Sequence, residues 1–557
     1  MIKLHSLRIK KLERKYMNLL SKNSPLKTSI DKMQTILDEL NCEIVFSKQI
    51  NPITNCYSIN LSFKKAKEYI YSNGKGINAL SCKASALGEY IERLQTNNFF
   101  IEFYLNDNVF YPDQKFFDFK GGYLNEKLNN LYDNNEQLTL EDLIDYHSNN
   151  TNQILSLPFV NQSNKETIYF PINILHNLYV SNGLATGNTP REAQVQSLSE
   201  IYERYVKIKI IKNGYSLPSY PINLVKSFDT LYKDIKQLED LGYILEVLDA
   251  SLGGKFPVTA ISIINPKSSS LFVSFGSHPI LEVSLQRTMT ELMQGRSLDN
   301  MQEFEIPTFD ISLVKDNFNI ESHFIDSNGK LGFEFLNKNK SFKYTSWNYN
   351  GKNSNDEYIY LKNIAKSMNK DIYLREYNYL GFYSCQILIP SISEVYPFED
   401  LIYNNTNVGK QIRDMVLNYD NYEANDILDE IIDLDNSIDI QKYIGVIFNE
   451  NFTMIDLKIQ VYLDLGDYTQ CIDYLELSKN KYSKILIELC RMYINEYEYE
   501  DYEDALNNIF TKDKLNKAVN IFNGEEKLIN TQLSKTYTDI IDLYEKLNNK
   551  KVNTYIL

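Results

Sequence analysis

The chain has 557 residues, of which 43% are hydrophobic and 24% are charged, and its formal net charge is −15 at pH 7. That length exceeds what one hydrophobic core normally organises, so we expect a globular protein of at least two domains. The six cysteines form no CxxC pair, which argues against a disulfide framework, a zinc ribbon and an iron–sulfur cluster held by this chain alone. No apolar run reaches the roughly 18 residues of a membrane helix. We therefore expect a cytoplasmic protein with no membrane segment.

The negative charge is concentrated near the C-terminus. Residues 411–557 contain 15 Lys or Arg and 28 Asp or Glu, a net charge of −13, which leaves −2 for residues 1–410. Such a surface repels a phosphate backbone, so we expect no direct binding to nucleic acid. A basic protein partner suits this charge. A solvated face that keeps the helices soluble explains it equally well.

The residue pattern divides the chain into three parts. Residues 1–20 are basic and lack the apolar segment and cleavage site of a signal peptide, so we predict an N-terminal extension. Residues 21–410 alternate strand-like and helix-like segments and predict a mixed α/β or α+β core. The clearest predicted strands are residues 56–63, 257–264 and 381–389.

The remaining part, residues 411–557, is predicted to be an all-α domain. Its apolar residues recur at helical spacing, as in residues 455–477 and 529–547. Residues 465–468 weakly resemble part of a tetratricopeptide repeat, although the full repeat pattern is missing.

Two segments of the predicted core are alike. The letters SNG occur at residues 72–74 and again at 181–183, and each copy is predicted to open a loop that leads into a helix. The first helix carries ExxER at residues 89–93 and the second carries the same pattern at residues 200–204. Two halves built alike suggest a pseudo-symmetric site between them.

Three predicted helices carry polar side chains in narrow stripes, at a rotation of about 100° per residue. The first stripe contains Ser85, Glu89 and Glu92. The second contains Glu192, Gln196, Glu200 and Glu203. The third contains Arg287, Glu291 and Gln294. Because Thr189 and Pro190 are good residues for starting a helix, Glu192 can alternatively complete a capping box.

These stripes indicate a metal–nucleotide site. Carboxylates one helical turn apart repel each other unless a cation lies between them, and Mg²⁺ commonly bridges carboxylates to nucleotide phosphates. Arg204 and Arg287 can neutralise phosphate charge. Solvated faces with ion pairs between successive turns are the alternative, but three such helices, two of them in duplicated contexts, favour a site. The phosphate-binding sequence GxxxxGK[ST] is absent from the chain, so the site would not be a P-loop.

The sequence resembles the YcaO family at these residues, from about residue 20 to about residue 410 and more loosely beyond. Its SxxxExxER motif is present as Ser85, Glu89, Glu92 and Arg93. Members of the family bind ATP and Mg²⁺ between helices. The resemblance implies that the magnesium ligands are Glu89, Glu92, Glu200 and Glu203. It implies nucleotide contacts by Lys22, Ser29, Ser85, Asn188, Glu192, Gln196, Arg204, Arg287, Glu291 and Gln294. It assigns no catalytic residue.

The resemblance is strongest to enteric-type members of the family. These assist the β-methylthiolation of an aspartate in a small-subunit ribosomal protein by a RimO-type radical-SAM methylthiotransferase. The resemblance therefore implies an accessory factor that binds and slowly hydrolyses ATP, with the methylthiotransferase or the ribosomal protein as partner, and a homodimer.

Two other functions stay open: an ATP-dependent amide-activating enzyme of peptide maturation, which forms azolines or thioamides, and a non-catalytic nucleotide-sensing scaffold. Azoline-forming members end in a proline-rich tail. No proline follows Pro397 here, so we expect no azoline formation.

Overall fold

The computed structural model describes residues 19–106, 110–298, 301, 304–325 and 329–556. Nearly all of the predicted N-terminal extension, residues 1–18, lies outside the described residues. In chain order the strands are β1 (Ile44–Phe46), β2 (Ile50–Ile53), β3 (Cys56–Phe63), β4 (Tyr71–Gly76), β5 (Lys115–Phe117), β6 (Ile154–Asn161), β7 (Thr167–Pro171), β8 (Leu184–Gly187), β9 (Ile244–Asp249), β10 (Val258–Asn265), β11 (Ser270–Ser277), β12 (Tyr373–Tyr377) and β13 (Tyr383–Leu388).

Helices alternate with these strands through the first 400 residues, and the described elements after that are helices. Up to α10 they are α1 (Leu26–Glu39), α2 (Ala79–Gln95), α3 (Glu126–Tyr132), α4 (Pro190–Asn213), α5 (Ile222–Ser227), α6 (Asp229–Asp240), α7 (Leu281–Leu292), α8 (Ile311–Lys315), α9 (Asn317–Ile325) and α10 (Ser354–Ser367). The C-terminal helices are α11 (Asp400–Tyr403), α12 (Lys410–Leu417), α13 (Ala424–Ile431), α14 (Ile440–Ile444), α15 (Met454–Leu465), α16 (Tyr468–Leu477), α17 (Ser483–Ile494), α18 (Tyr499–Ile509), α19 (Lys512–Phe522) and α20 (Lys535–Ile556).

The strands form three antiparallel sheets. In the first, β4 pairs along one edge of β3, while β1 and β2 share the other edge. The second has the order β9-β10-β11, and the third has the order β5-β6-β12-β13-β8 with β7 also paired to β6. The predicted mixed α/β core is confirmed, and the three predicted strands correspond to β3, β10 and β13.

In three places a strand leads into a helix and packs closely against it: β4 with α2, β8 with α4, and β11 with α7. Glycine makes this close packing possible. A Cβ atom on Gly74 would lie 2.3 Å from the carbonyl oxygen of Cys82, and one on Gly276 would lie 2.4 Å from Oγ1 of Thr288. The first SNG segment belongs to β4, so its prediction as a loop is wrong. The second copy does form a turn, before β8.

The C-terminal helices share a core with the N-terminal part of the chain. The ring of Tyr544 on α20 lies 5.1 Å from the ring of Phe100, and the Tyr537 hydroxyl donates a 2.6 Å hydrogen bond to the backbone oxygen of Tyr104. Helices α12–α14 come before α15–α19 in the chain and α20 comes after them. Both groups contribute to this core. The expected boundary near residue 410 therefore does not mark a break in the core, because α12 packs into it through Ile412.

Helices α15–α19 enclose a smaller apolar cluster of their own, around Ile459, Leu486 and Leu515. The helical pattern of residues 455–477 corresponds to α15 and α16, because Gly466 adopts a φ of +70° and ends α15. In the pattern of residues 529–547, the helix begins at Lys535. Within the described residues, no helix is long and apolar enough to span a membrane.

Candidate functional site

The predicted site residues line one cavity of about 910 Å³. Helices α1, α2, α4 and α7 face it, together with strands β4 and β11. All fourteen predicted residues line it: Lys22, Ser29, Ser85, Glu89, Glu92, Asn188, Glu192, Gln196, Glu200, Glu203, Arg204, Arg287, Glu291 and Gln294. A second cavity of about 800 Å³, beside the first turn of α4, contains none of them.

The stripe on α2 places two half-buried acids, Glu89 and Glu92, at the cavity. Glu89 pairs with Arg93 one turn along the helix at 2.5 Å. Burial raises the pKa of Glu92 well above its ordinary value, and the nearby carboxylates of Glu200 and Glu89 raise it further. Glu92 therefore lies where its charged form requires a compensating cation.

The stripe on α4 faces α2 across the cavity. Glu200 pairs with Arg204 at 3.2 Å, and burial raises the pKa of Glu200 despite this arginine. Glu203 accepts a 3.1 Å hydrogen bond from the backbone nitrogen of Ser277, the last residue of β11. The N-H group at the end of β11 thus fixes the orientation of one carboxylate.

The stripe on α7 lines the third side of the cavity. Arg287 Nη1 donates a 2.6 Å hydrogen bond to Oε1 of Gln196 on α4. Glu291 forms an ion pair with Lys75 on β4. Gln294 follows the end of the helix, where its backbone nitrogen donates to the Glu291 carbonyl at 3.2 Å. The third stripe is therefore connected to both other strand–helix units.

Four more of the predicted residues form one hydrogen-bonded cluster at the cavity, whereas Ser85 accepts a hydrogen bond from the backbone nitrogen of Lys75. Ser29 Oγ donates to Asn188 Oδ1 at 2.7 Å, and Asn188 Nδ2 lies 3.1 Å from both carboxylate oxygens of Glu192. Lys22 Nζ pairs with the same carboxylate at 3.2 Å. Thr189 does cap α4, but the Glu192 carboxylate turns to Lys22 and Asn188 and does not complete a capping box.

Two lysines of the cavity were missed by the sequence interpretation. Lys75 lies on β4, and burial lowers its pKa to about 8. Lys207 follows Glu203 by four residues on α4, donates a 2.6 Å hydrogen bond to the His323 carbonyl, and also has a pKa lowered by burial to about 8. The helical spacing of the second stripe could have identified Lys207. Lys75 was not identified as a site residue because its segment was interpreted as a loop.

A comparison with protein families matches residues 73–393 to the family described as YcaO cyclodehydratase, ATP- and Mg²⁺-binding. The matched segment covers more than half of the chain. The chain belongs to the YcaO family.

Relatives within the YcaO family are similar over most of the chain. An uncharacterised protein of Haemophilus influenzae is 37% identical over 492 residues, which cover 84% of each chain. The Escherichia coli protein named ribosomal protein S12 methylthiotransferase accessory factor YcaO is 38% identical over 429 residues, which cover 74% of this chain and 73% of that protein.

Solved structures are more distant. A heterocyclase in complex with substrate and cofactor is 17% identical, with a TM-score of 0.48, and the match covers 68% of this chain and 55% of the heterocyclase. YcaO from Methanopyrus kandleri bound with AMPPCP and Mg²⁺ is 14% identical, with a TM-score of 0.45, over 70% of this chain and 96% of that protein.

The expected cofactors, ATP and Mg²⁺, are confirmed by the family, and the cavity suits them. Among the described residues no three His, Cys, Asp or Glu side chains form a group that could hold a metal by themselves. Mg²⁺ does not require one, because it usually binds one or two carboxylates, phosphate oxygens and water. The half-buried carboxylates of Glu92 and Glu200 provide such ligands, and Lys75, Arg204 and Arg287 provide positive charge for phosphates.

Proposed function

We propose that this YcaO protein is an ATP- and Mg²⁺-binding accessory factor for the β-methylthiolation of an aspartate in a small-subunit ribosomal protein. The observation that carries the proposal is the 38% identity, over 74% of the chain, to the accessory factor of Escherichia coli. The cavity supports it, because acids and cations suited to a metal-bound triphosphate line the same space.

In this proposal the radical chemistry belongs to the partner methylthiotransferase, and the present chain contributes a nucleotide-dependent step. Bound Mg²⁺ supplies charge neutralisation of the triphosphate. Glu89, Glu92, Glu200 and Glu203 would hold the magnesium ions, with one or two of these carboxylates on each ion. Arg204 and Arg287 would orient the phosphates through charged hydrogen bonds. Ser29 and Asn188 would contact the nucleotide where they already form a hydrogen bond.

A reconstituted reaction tests the proposal. The methylthiotransferase and ribosomal protein S12 of the same organism are incubated with and without this protein and Mg²⁺–ATP. Mass spectrometry then counts the S12 peptides that carry a methylthio group. We expect stimulation that depends on ATP and is lost with Glu200→Gln, whereas Glu68→Gln, a change at an exposed acid outside the cavity, retains it.

The same experiment separates the alternatives. Equal methylthiolation with and without the protein would contradict an accessory role. Loss of water from a Cys/Ser-rich peptide would instead favour the cyclodehydratase activity named in the family description. Tight ATP binding without turnover or stimulation would favour a nucleotide-sensing scaffold. The homodimer remains a proposal that analytical ultracentrifugation tests.

A further inference from the structure

A short segment crosses the edge of the nucleotide cavity before α1 begins. We call residues 19–25 the strap. Five of its members line the cavity: Leu19, Leu20, Ser21, Lys22 and Ser24. The strap therefore forms part of the wall beside the predicted nucleotide contacts.

Ser21 attaches the strap to two distant parts of the chain. Its Oγ donates a 2.6 Å hydrogen bond to Oε2 of Glu357 on α10 and lies 3.0 Å from Nε2 of His278, just after β11. Both partners are buried, with about 4% and 3% of the His278 and Glu357 side chains exposed. Ser21 has a φ of +62°, a conformation that side chains with a Cβ atom rarely adopt. The two contacts hold it there.

The direction of each hydrogen bond follows from the backbone. The Ile280 nitrogen donates a 3.0 Å hydrogen bond to Nδ1 of His278, so Nδ1 is the acceptor and Nε2 carries the proton. Nε2 then donates to Ser21 Oγ, and Ser21 Oγ donates to Glu357. Because the histidine is a donor here, it cannot activate Ser21 as a nucleophile. The chain of hydrogen bonds is an attachment.

A second attachment follows directly. The backbone nitrogen of Asn23 donates a 3.0 Å hydrogen bond to Oε2 of Glu192, and Lys22 Nζ pairs with Oε1 of the same carboxylate at 3.2 Å. Glu192 is buried and also binds Asn188. One carboxylate of the predicted nucleotide site is therefore held jointly by the strap and Asn188.

We propose that Ser21, His278 and Glu357 are positioning residues of the nucleotide site. They hold the strap so that Lys22 and Glu192 stay paired at the cavity, and they thereby set the rate at which Mg²⁺–ATP enters and leaves. In this proposal they act through Lys22 and Glu192. Nucleotide exchange then requires the Ser21 attachment to open.

Stopped-flow fluorescence with a fluorescent ATP analogue and Mg²⁺ tests this proposal on the full chain. We expect Ser21→Ala and Glu357→Gln each to raise the dissociation rate constant about tenfold, the factor of one lost hydrogen bond to a charged group. Ser163→Ala, at an exposed turn outside the cavity, is the matched control. Unchanged association and dissociation rate constants in both variants would overturn the proposal.

A second readout does not depend on nucleotide binding. Trypsin cleaves after lysine, and Lys22 lies on the strap. We expect faster cleavage after Lys22 in Ser21→Ala, while cleavage after Lys267, on the exposed β10–β11 turn, is unchanged. Equal acceleration at both sites would show general unfolding and would overturn the proposal. Neither measurement involves methylthiolation, so failure of the proposed accessory role leaves both results interpretable.

Discussion

Arg287 of α7 is bonded to an uncharged partner, Oε1 of Gln196 on α4, at 2.6 Å. Three other cations that line the cavity are paired with carboxylates: Arg93 with Glu89, Arg204 with Glu200, and Lys75 with Glu291. An amide orients a guanidinium without neutralising it. The charge of Arg287 therefore remains available to a bound anion.

Arg287→Gln is accordingly expected to weaken Mg²⁺–ATP binding more than it weakens the fold. Loss of a charged contact to phosphate costs about 1.5–3 kcal/mol, or about 10- to 150-fold in Kd. Isothermal titration calorimetry measures the change, and a thermal melt without ligand provides the control. A melting temperature that collapses while Kd is unchanged would show that Arg287 only joins the two helices.

ATP binding is expected to require magnesium. The cavity already holds the carboxylates of Glu89, Glu92, Glu200 and Glu203. Two like charges 4 Å apart repel by about 4 kcal/mol at an effective dielectric constant of 20, so a bare triphosphate is disfavoured. Calorimetry with Mg²⁺ and with EDTA is the measurement. Tight binding in EDTA would contradict a role of these acids as metal ligands.

Glu92→Gln is expected to stabilise the free protein and to reduce its stabilisation by Mg²⁺–ATP. Burial holds the pKa of Glu92 above its ordinary value. At neutral pH the wild-type protein must therefore either bury a charge or take up a proton, and Gln avoids both. We expect a higher melting temperature without ligand and a smaller increase of it on addition of Mg²⁺–ATP. Thermal melts with and without Mg²⁺–ATP measure both effects, and Glu68→Gln should change neither.

Binding of Mg²⁺–ATP near pH 8 is expected to take up protons. Burial lowers the pKa of Lys75 and Lys207 from 10.5 to about 8 in the free protein, and adjacent phosphate favours the charged amine. The apparent binding heat should therefore differ between buffers of different ionisation enthalpy, and Lys75→Met should reduce the difference. Without ligand, the unfolded chain binds more protons between about pH 8 and pH 10.5, so these lysines make stability rise with pH across that window.

The stripes could be predicted from sequence because a helix places residues three and four apart on one face, as with Glu200 and Glu203. Which strands packed against those helices could not be predicted, because Gly74 and Gly276 look like loop residues until the partner helix is known. Contacts between residues that are far apart in the sequence could not be predicted either. Ser21 and Glu357 are 336 positions apart, and no local pattern connects them.

The acidic helix α18 offers a test of partner binding. Residues 496–504 contain six acids and no base, and Tyr497 and Tyr502 beside them are 56% and 42% exposed. Replacing Glu500, Asp501, Glu503 and Asp504 by their amides should slow association with a basic partner such as ribosomal protein S12, and the difference should shrink with salt. Surface plasmon resonance at two salt concentrations measures it. Unchanged rates would indicate a merely solvated face, and Mg²⁺–ATP binding should be unaffected.

The joining of the first and last parts of the chain in one core also affects how the protein is made. Lys551, fully buried, donates a hydrogen bond to Oδ1 of Asn97, just after α2, and Tyr544 packs against Phe100. During translation Lys551 is added 454 positions after Asn97. The nascent chain therefore holds α2 and its carboxylates without these partners until α20 has been made.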